Sequence, residues 1–185
     1  MSSMVERAQT FGEIQDYLVT SARALFEAYG MEVEYSSGGS AEIDGPAVMA
    51  VIGFADVGVR GTLLLLTPRD IVDALTPPEV RASGVAAEDS LRDVLGEFAN
   101  MLLGRIKNQL VTRDIAPLLT TPTTVYGDDL KLPAPTSGMS AWHTFAGAMG
   151  NIFVRFDATV GAEFALAPVG EGKPTPIAEG EMLLF

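Results

Sequence analysis

The sequence predicts an α/β fold: a single domain with a mainly antiparallel sheet and long helices packed on it. Three observations predict it. Two long segments, residues 10–31 and 89–111, carry apolar residues at helical spacing. Two others, 46–68 and 141–161, each read as a strand, a glycine-containing turn and a second strand. Hydrophobic residues make up 48% of a 185-residue chain, enough for one compact core and too many for a disordered segment.

The elements follow in order. In "TFGEIQDYLVTSARALFEAYGM", Phe11, Ile14, Leu18, Leu25, Phe26 and Tyr29 recur on one helical face. Thr10 is the expected N-cap of that helix and Gly30 its stop. "MEVEYS" reads as a short strand. "PAVMAVIGFADVGVRGTLLLLTP" reads as two strands joined near "ADVG", the second buried by its length and flanks. "TPRDIVDALTP" is a short helix with Thr67 as expected cap and Pro68 at its first position. "PPEVRASGVAAE" is a loop or a helical fragment, and a long helix follows from about Asp89 to Val111. "TTPTTVYGDDLKLPAPTSGMS" is a strand and a turn-rich connection leading to the second strand pair. The helix–strands–helix–strands order hints at a loose internal duplication. A domain over residues 1–170 is expected, with a possible strand on "EFALAP" and a Pro/Gly-containing tail over 171–185.

Composition excludes several functions. The net charge is −12, which argues against nucleic acid or an anionic membrane as the main partner. There is no cysteine, hence no thiolate metal site, disulfide or cysteine nucleophile. The N-terminus lacks a basic region followed by an apolar core, and no apolar run is long enough to span a bilayer, so a cytoplasmic protein is expected. The single histidine, His143, lies in an alternating stretch and reads as a packed or surface residue rather than a catalyst. Phosphate-binding loops, the G-x-S-x-G motif and histidine pairs are missing. Asp128 and Asp129 read as a solvated turn rather than as a metal site.

The helix around "DVLGEFANMLLGRIKN" carries the strongest signal. At about 100° per residue, Leu91, Val94, Leu95, Phe98, Leu102 and Ile106 form a core stripe. Asp93, Gly96, Glu97, Asn100, Gly104 and Lys107 fall on the other side, with Gly96, Asn100 and Gly104 in one row. A solvated face accounts for Glu, Asn and Lys. It does not account for two glycines, each costing the helix roughly 1 kcal/mol relative to alanine. The alternative is a smooth strip that presents one amide and one carboxylate to another molecule. An amide both donates and accepts hydrogen bonds, so it can hold a water in line for attack on a phosphoryl group. With no phosphate loop in this chain, the partner would bring the phosphate.

"DVLGEFANMLLGRIKNQL" followed by "TTPTTVYGDD" resembles the CheX-like chemotaxis phosphatases within the CheC–CheX–FliY family. The family signature is Asp or Ser, three residues, Glu, two residues, Asn, then about two dozen residues and a Pro. Asp93, Glu97, Asn100 and Pro122 match it, Gly104 and Lys107 also look familiar, and the likeness covers roughly residues 11 to 165. The resemblance implies a CheC/CheX-like pseudo-duplicated architecture and a phosphatase acting on a phosphoaspartate of a CheY-type response-regulator receiver. Asn100 would orient the attacking water and Glu97 would pair with the receiver's active-site lysine. Asp93 and Pro122 would shape the surroundings. No cofactor of its own is implied, since the receiver holds the Mg²⁺. CheX proteins pair by joining their sheets, so the resemblance admits a homodimer. Members of the CheC type carry two such helices; here the first has Glu13 and Asp16 without the Asn, so one site at most is expected. The alternative function is a non-catalytic receiver-binding or assembly module of the flagellar-switch type.

Overall fold

The computed structural model describes residues 4–38, 41–82, 87–130, 132, 139–161, 164, 166 and 167. Alternation builds its centre. In β2 (Pro46–Asp56), Val48, Ala50, Ile52 and Phe54 point to one face and are buried. β3 (Val59–Pro68) pairs with it antiparallel, from Asp56 opposite Val59 to Ala47 opposite Pro68. β6 (Met139–Gly147) and β7 (Gly150–Val160) form a second antiparallel hairpin, and β7 lies beside β3. β1 (Val33–Ser37) extends the sheet next to β6. On the opposite side, β2 pairs with both β4 (Leu118–Leu119) and β5 (Thr123–Asp128). Among the described residues the result is one seven-stranded antiparallel sheet.

The duplication hinted at in the sequence becomes geometry. α1 (Met4–Ala28), β1, β2 and β3 are followed by α4 (Ala87–Val111), β5, β6 and β7, with two short helices, α2 (Arg69–Leu75) and α3 (Pro78–Ala82), and β4 between or within them. β3 and β7 sit at the centre, β2 and β6 flank them, and β5 and β1 lie outermost. Each half thus lends its first strand to the other half's hairpin.

Both 25-residue helices pack on the same face of the sheet. α1 buries Ile14, Leu18, Ala22, Leu25 and Phe26, and Phe26 meets Phe145 edge-on at 5.1 Å. α4 buries Leu91, Leu95, Phe98, Leu102, Ile106 and Leu110. At about 2 kcal/mol for each such side chain, that burial outweighs the cost of two interior glycines several-fold. Among the described residues, the other face has no helix. There Ala47, Leu64, Leu66 and Phe153 are covered by Ile43, Leu130, Leu132 and Trp142, beside a buried Arg155–Asp157 pair at 2.9 Å.

Four expectations need correction. Thr10 is not a cap: α1 begins at Met4, because "MVERAQ" is itself good helix sequence, and Thr10 is a buried interior residue. Its stop at Gly30 holds, with φ +71, Met31 N donating to Phe26 O at 2.9 Å and Gly30 N to Glu27 O at 2.9 Å. Thr67 does not cap α2 either. It belongs to β3 opposite Val48, its buried hydroxyl has no partner, and Pro68 takes the N-cap. Strand pairing wins there over a local side-chain bond. Tyr29, counted with the apolar face of α1, is 46% exposed. Phe164, Leu166 and Ala167 form no strand; Phe164 and Leu166 pack on the core instead. Residues 171–185 lie outside the described residues.

Candidate functional site on helix α4

α4 ends where Asp114 turns left-handed at φ +61, with Ile115 N bonded to Leu110 O at 3.1 Å and Asp114 N to Val111 O at 3.2 Å. The chain then runs back along α4 toward its N-terminus. This return decides how the predicted row is displayed. Asp93 and Glu97 are exposed, while Asn100, Gly104 and Lys107 are half-buried. Pro122 is half-buried beside the helix.

Gly96 departs from the expectation of a partner-facing surface. It is buried, and a Cβ added to it would lie 3.3 Å from Thr124 Cγ2 and 3.8 Å from Pro122 Cβ. The chain's own return strand occupies that side, so Gly96 is a close-approach glycine within the fold. Gly104 is different: a Cβ there would meet nothing within 4 Å. The structure therefore brings Pro122 to within one turn of Asn100, which spacing alone did not explain. Thr124 escaped the sequence reading. Its signal was the alternation in "TTVYG", where Thr124 and Tyr126 are the inward residues.

Among the described residues, no hydrogen bond or ion pair engages the side chains of Asp93, Glu97, Asn100 or Lys107. The corresponding stretch of α1 behaves differently. "FGEIQD" aligns with "LGEFAN", matching Gly12 to Gly96, Glu13 to Glu97 and Asp16 to Asn100. Glu13 is held by Arg113 at 3.0 Å, and Arg113 also donates to the Tyr17 hydroxyl at 2.7 Å and to the Ala167 carbonyl. Of the two related helices, α4 alone leaves its Glu unengaged and carries the amide.

His143 is a packed residue. It is 3% exposed, hydrogen-bonded to Tyr35 Oη at Nδ1 (3.0 Å) and to Gln15 Oε1 at Nε2. Since Gln15 Oε1 can only accept, Nε2 carries the proton and Nδ1 accepts from the tyrosine. Burial pushes its pKa down. Asp128 and Asp129 are exposed, and no group of three His, Cys, Asp or Glu side chains able to hold a metal occurs among the described residues.

Two concavities, of 410 Å³ near Tyr29 and Met149 and of 480 Å³ near Thr62 and Thr120, have no α4 residue in their linings. The α4 row lines neither of them. Chemistry on a small molecule calls for a water-excluding cleft. A bare amide and carboxylate on a helix suit a partner that supplies the pocket. No helix among the described residues is long and apolar enough to cross a membrane.

Fold and surface together define a two-layer α/β domain with an internal pseudo-repeat and one unengaged Glu–Asn pair on its second long helix. The profile of the family described as "Chemotaxis phosphatase CheX" matches residues 48–146. That is more than half of the chain, and the chain belongs to the CheX family. No curated protein sequence matches it. Among solved structures, CheX from Vibrio vulnificus aligns at 18% identity with a TM-score of 0.68, over 79% of this chain and 99% of that one. CheX from Desulfovibrio desulfuricans aligns at 18% identity and a TM-score of 0.64, again over 79% and 99%. The CheX of a CheX–CheY–BeF3–Mg²⁺ complex from Borrelia burgdorferi aligns at 14% identity and a TM-score of 0.62, over 81% and 97%. At these identities the likeness is one of fold, and it bears out the mixed α/β architecture.

Proposed function

We propose that this protein is a phosphatase that hydrolyses the phosphoaspartate of a CheY-type receiver domain. The observation that carries the proposal is the unengaged Glu97–Asn100 pair on α4, set against the occupied Glu13 and the Asp16 of α1. Membership of a chemotaxis phosphatase family supports it. Asn100 enters the receiver's site and orients a water. The water oxygen bonds to phosphorus as the bond to the aspartyl oxygen breaks, leaving a free carboxylate and inorganic phosphate. Glu97 docks against the receiver's lysine. Mg²⁺ comes with the receiver. Asp93, Gly104 and Lys107 border the contact, and Pro122 shapes it. Asp16 on α1 could not substitute for the amide, because a carboxylate repels phosphoryl oxygens. The proposal places the protein in the cytoplasm, where receivers work.

The test is the lifetime of phosphorylated receivers, measured as phosphate release with and without the purified protein. A shortened lifetime for a cognate receiver supports the proposal. A receiver that binds with its lifetime unchanged supports the non-catalytic module instead.

A further inference from the structure

We infer that Gly96 is a positioning residue for the α4 site, and that the Thr121–Pro122 segment forms the second wall of the surface that receives the phosphorylated partner. This rests on the function proposed above. The segment is pinned at both ends. At one end Thr120 N donates to Gly53 O at 2.9 Å, and Thr120 Oγ1 accepts from Gly53 N at 2.8 Å. At the other, Thr124 pairs with Ala50 inside a ladder running from Thr123 opposite Val51 to Asp128 opposite Pro46. The chain runs antiparallel to α4, which puts Thr120, Thr121 and Pro122 on the Asn100 side of Gly96. The side chains of Thr120 and Thr123, beside Gly53 and opposite Val51, turn to the helix-free face of the sheet, which leaves exposed Thr121 and half-buried Pro122 between them next to the helix.

The distance between this wall and the Asn100 amide is set at Gly96. A Cβ there would lie 3.3 Å from the Thr124 methyl, tighter than ordinary contact. Thr124 is β-branched and ladder-bound, so its methyl cannot easily turn away. The helix and strand must then separate by a few tenths of an ångström. Gly12, the equivalent on α1, has nothing within 4 Å, and neither has Gly104. The close approach thus coincides with the helix turn that carries the Glu–Asn pair, where a shift alters docking without removing any reacting group.

The experiment compares wild type, Gly96→Ala, Thr124→Ser and the double variant in hydrolysis of a phosphorylated receiver, in binding of that receiver loaded with a phosphate mimic, and in thermal unfolding. Gly96→Ala is expected to raise KM and Kd about fivefold with kcat within about twofold. Thr124→Ser removes the opposing methyl, so the double variant should return to near wild-type values. Unchanged KM and Kd in Gly96→Ala overturn the inference. So does a weakening that the double variant fails to recover, and so does a fall in Tm with no change in KM. If the wild type binds without hydrolysing, the proposed function fails, while the Kd comparison still decides the role of Gly96.

Discussion

Asn100→Ala separates what the fold needs from what the site needs. Among the described residues, the Asn100 amide makes no hydrogen bond that truncation would break. It lies in the interior of α4, between fully buried neighbours Ala99 and Leu102. Alanine is the better helix former there by about 0.6 kcal/mol. Some packing of a half-buried side chain is lost in return, worth a few tenths of a kcal/mol. The net expectation is a variant equal to the wild type or up to about 0.5 kcal/mol more stable. For a chain of this size that is a rise of about 0 to 2 °C in Tm. Calorimetry at neutral pH reads this directly, alongside phosphate release. A drop of about 4 °C or more, over 1 kcal/mol, would refute the reasoning. It would show that the amide holds the fold together and is not kept for a partner.

Three further outcomes are expected. Arg113→Ala removes a 13%-exposed guanidinium that joins Glu13, Tyr17 and the Ala167 carbonyl, and should cost about 2–3 kcal/mol, or roughly 5–10 °C in Tm; a change below about 2 °C would show that the clamp is not structural. His143 is held neutral by burial, so its folded pKa is below its unfolded value of about 6.5. Below about pH 6.5 the unfolded chain takes up a proton that the folded chain resists, so stability falls from there until the lower, folded pKa is passed. Unfolding scans between pH 7.5 and about 5 should show that slope and lose much of it in His143→Gln; parallel curves would contradict the assignment. Glu97→Gln keeps the shape of the docking surface but not its charge. KM should rise about three- to tenfold at low salt, with a smaller difference at about 0.5 M salt. Identical KM values at both salt levels would remove Glu97 from the docking surface.

Much of this molecule was legible because its signals are local. The β2–β3 and β6–β7 hairpins are visible in alternation around short turns, and α4 in the spacing of Leu91, Leu95, Phe98, Leu102 and Ile106. The misplaced caps share one cause. Thr10 and Thr67 look like cap residues in isolation, but helix sequence upstream of one and a strand partner for the other, Val48, override the local preference. Gly96 failed for a longer-range reason. Its purpose depends on Thr124, 28 positions later, lying over it, and helical periodicity cannot report what covers a helix. The row Glu97, Asn100, Gly104 was readable as a face; the seam beside it was not. Likewise Glu13 and Glu97 look equivalent in sequence, and only Arg113 distinguishes them.

The central claim is that Asn100 acts on a phosphoaspartate held by another protein. Its most direct measurement is the decay rate of a phosphorylated cognate receiver at saturating wild type and at saturating Asn100→Ala, with binding of both confirmed in parallel. The account predicts that both bind and that only the wild type shortens the lifetime of the phosphorylated state. Equal acceleration by Asn100→Ala would contradict it.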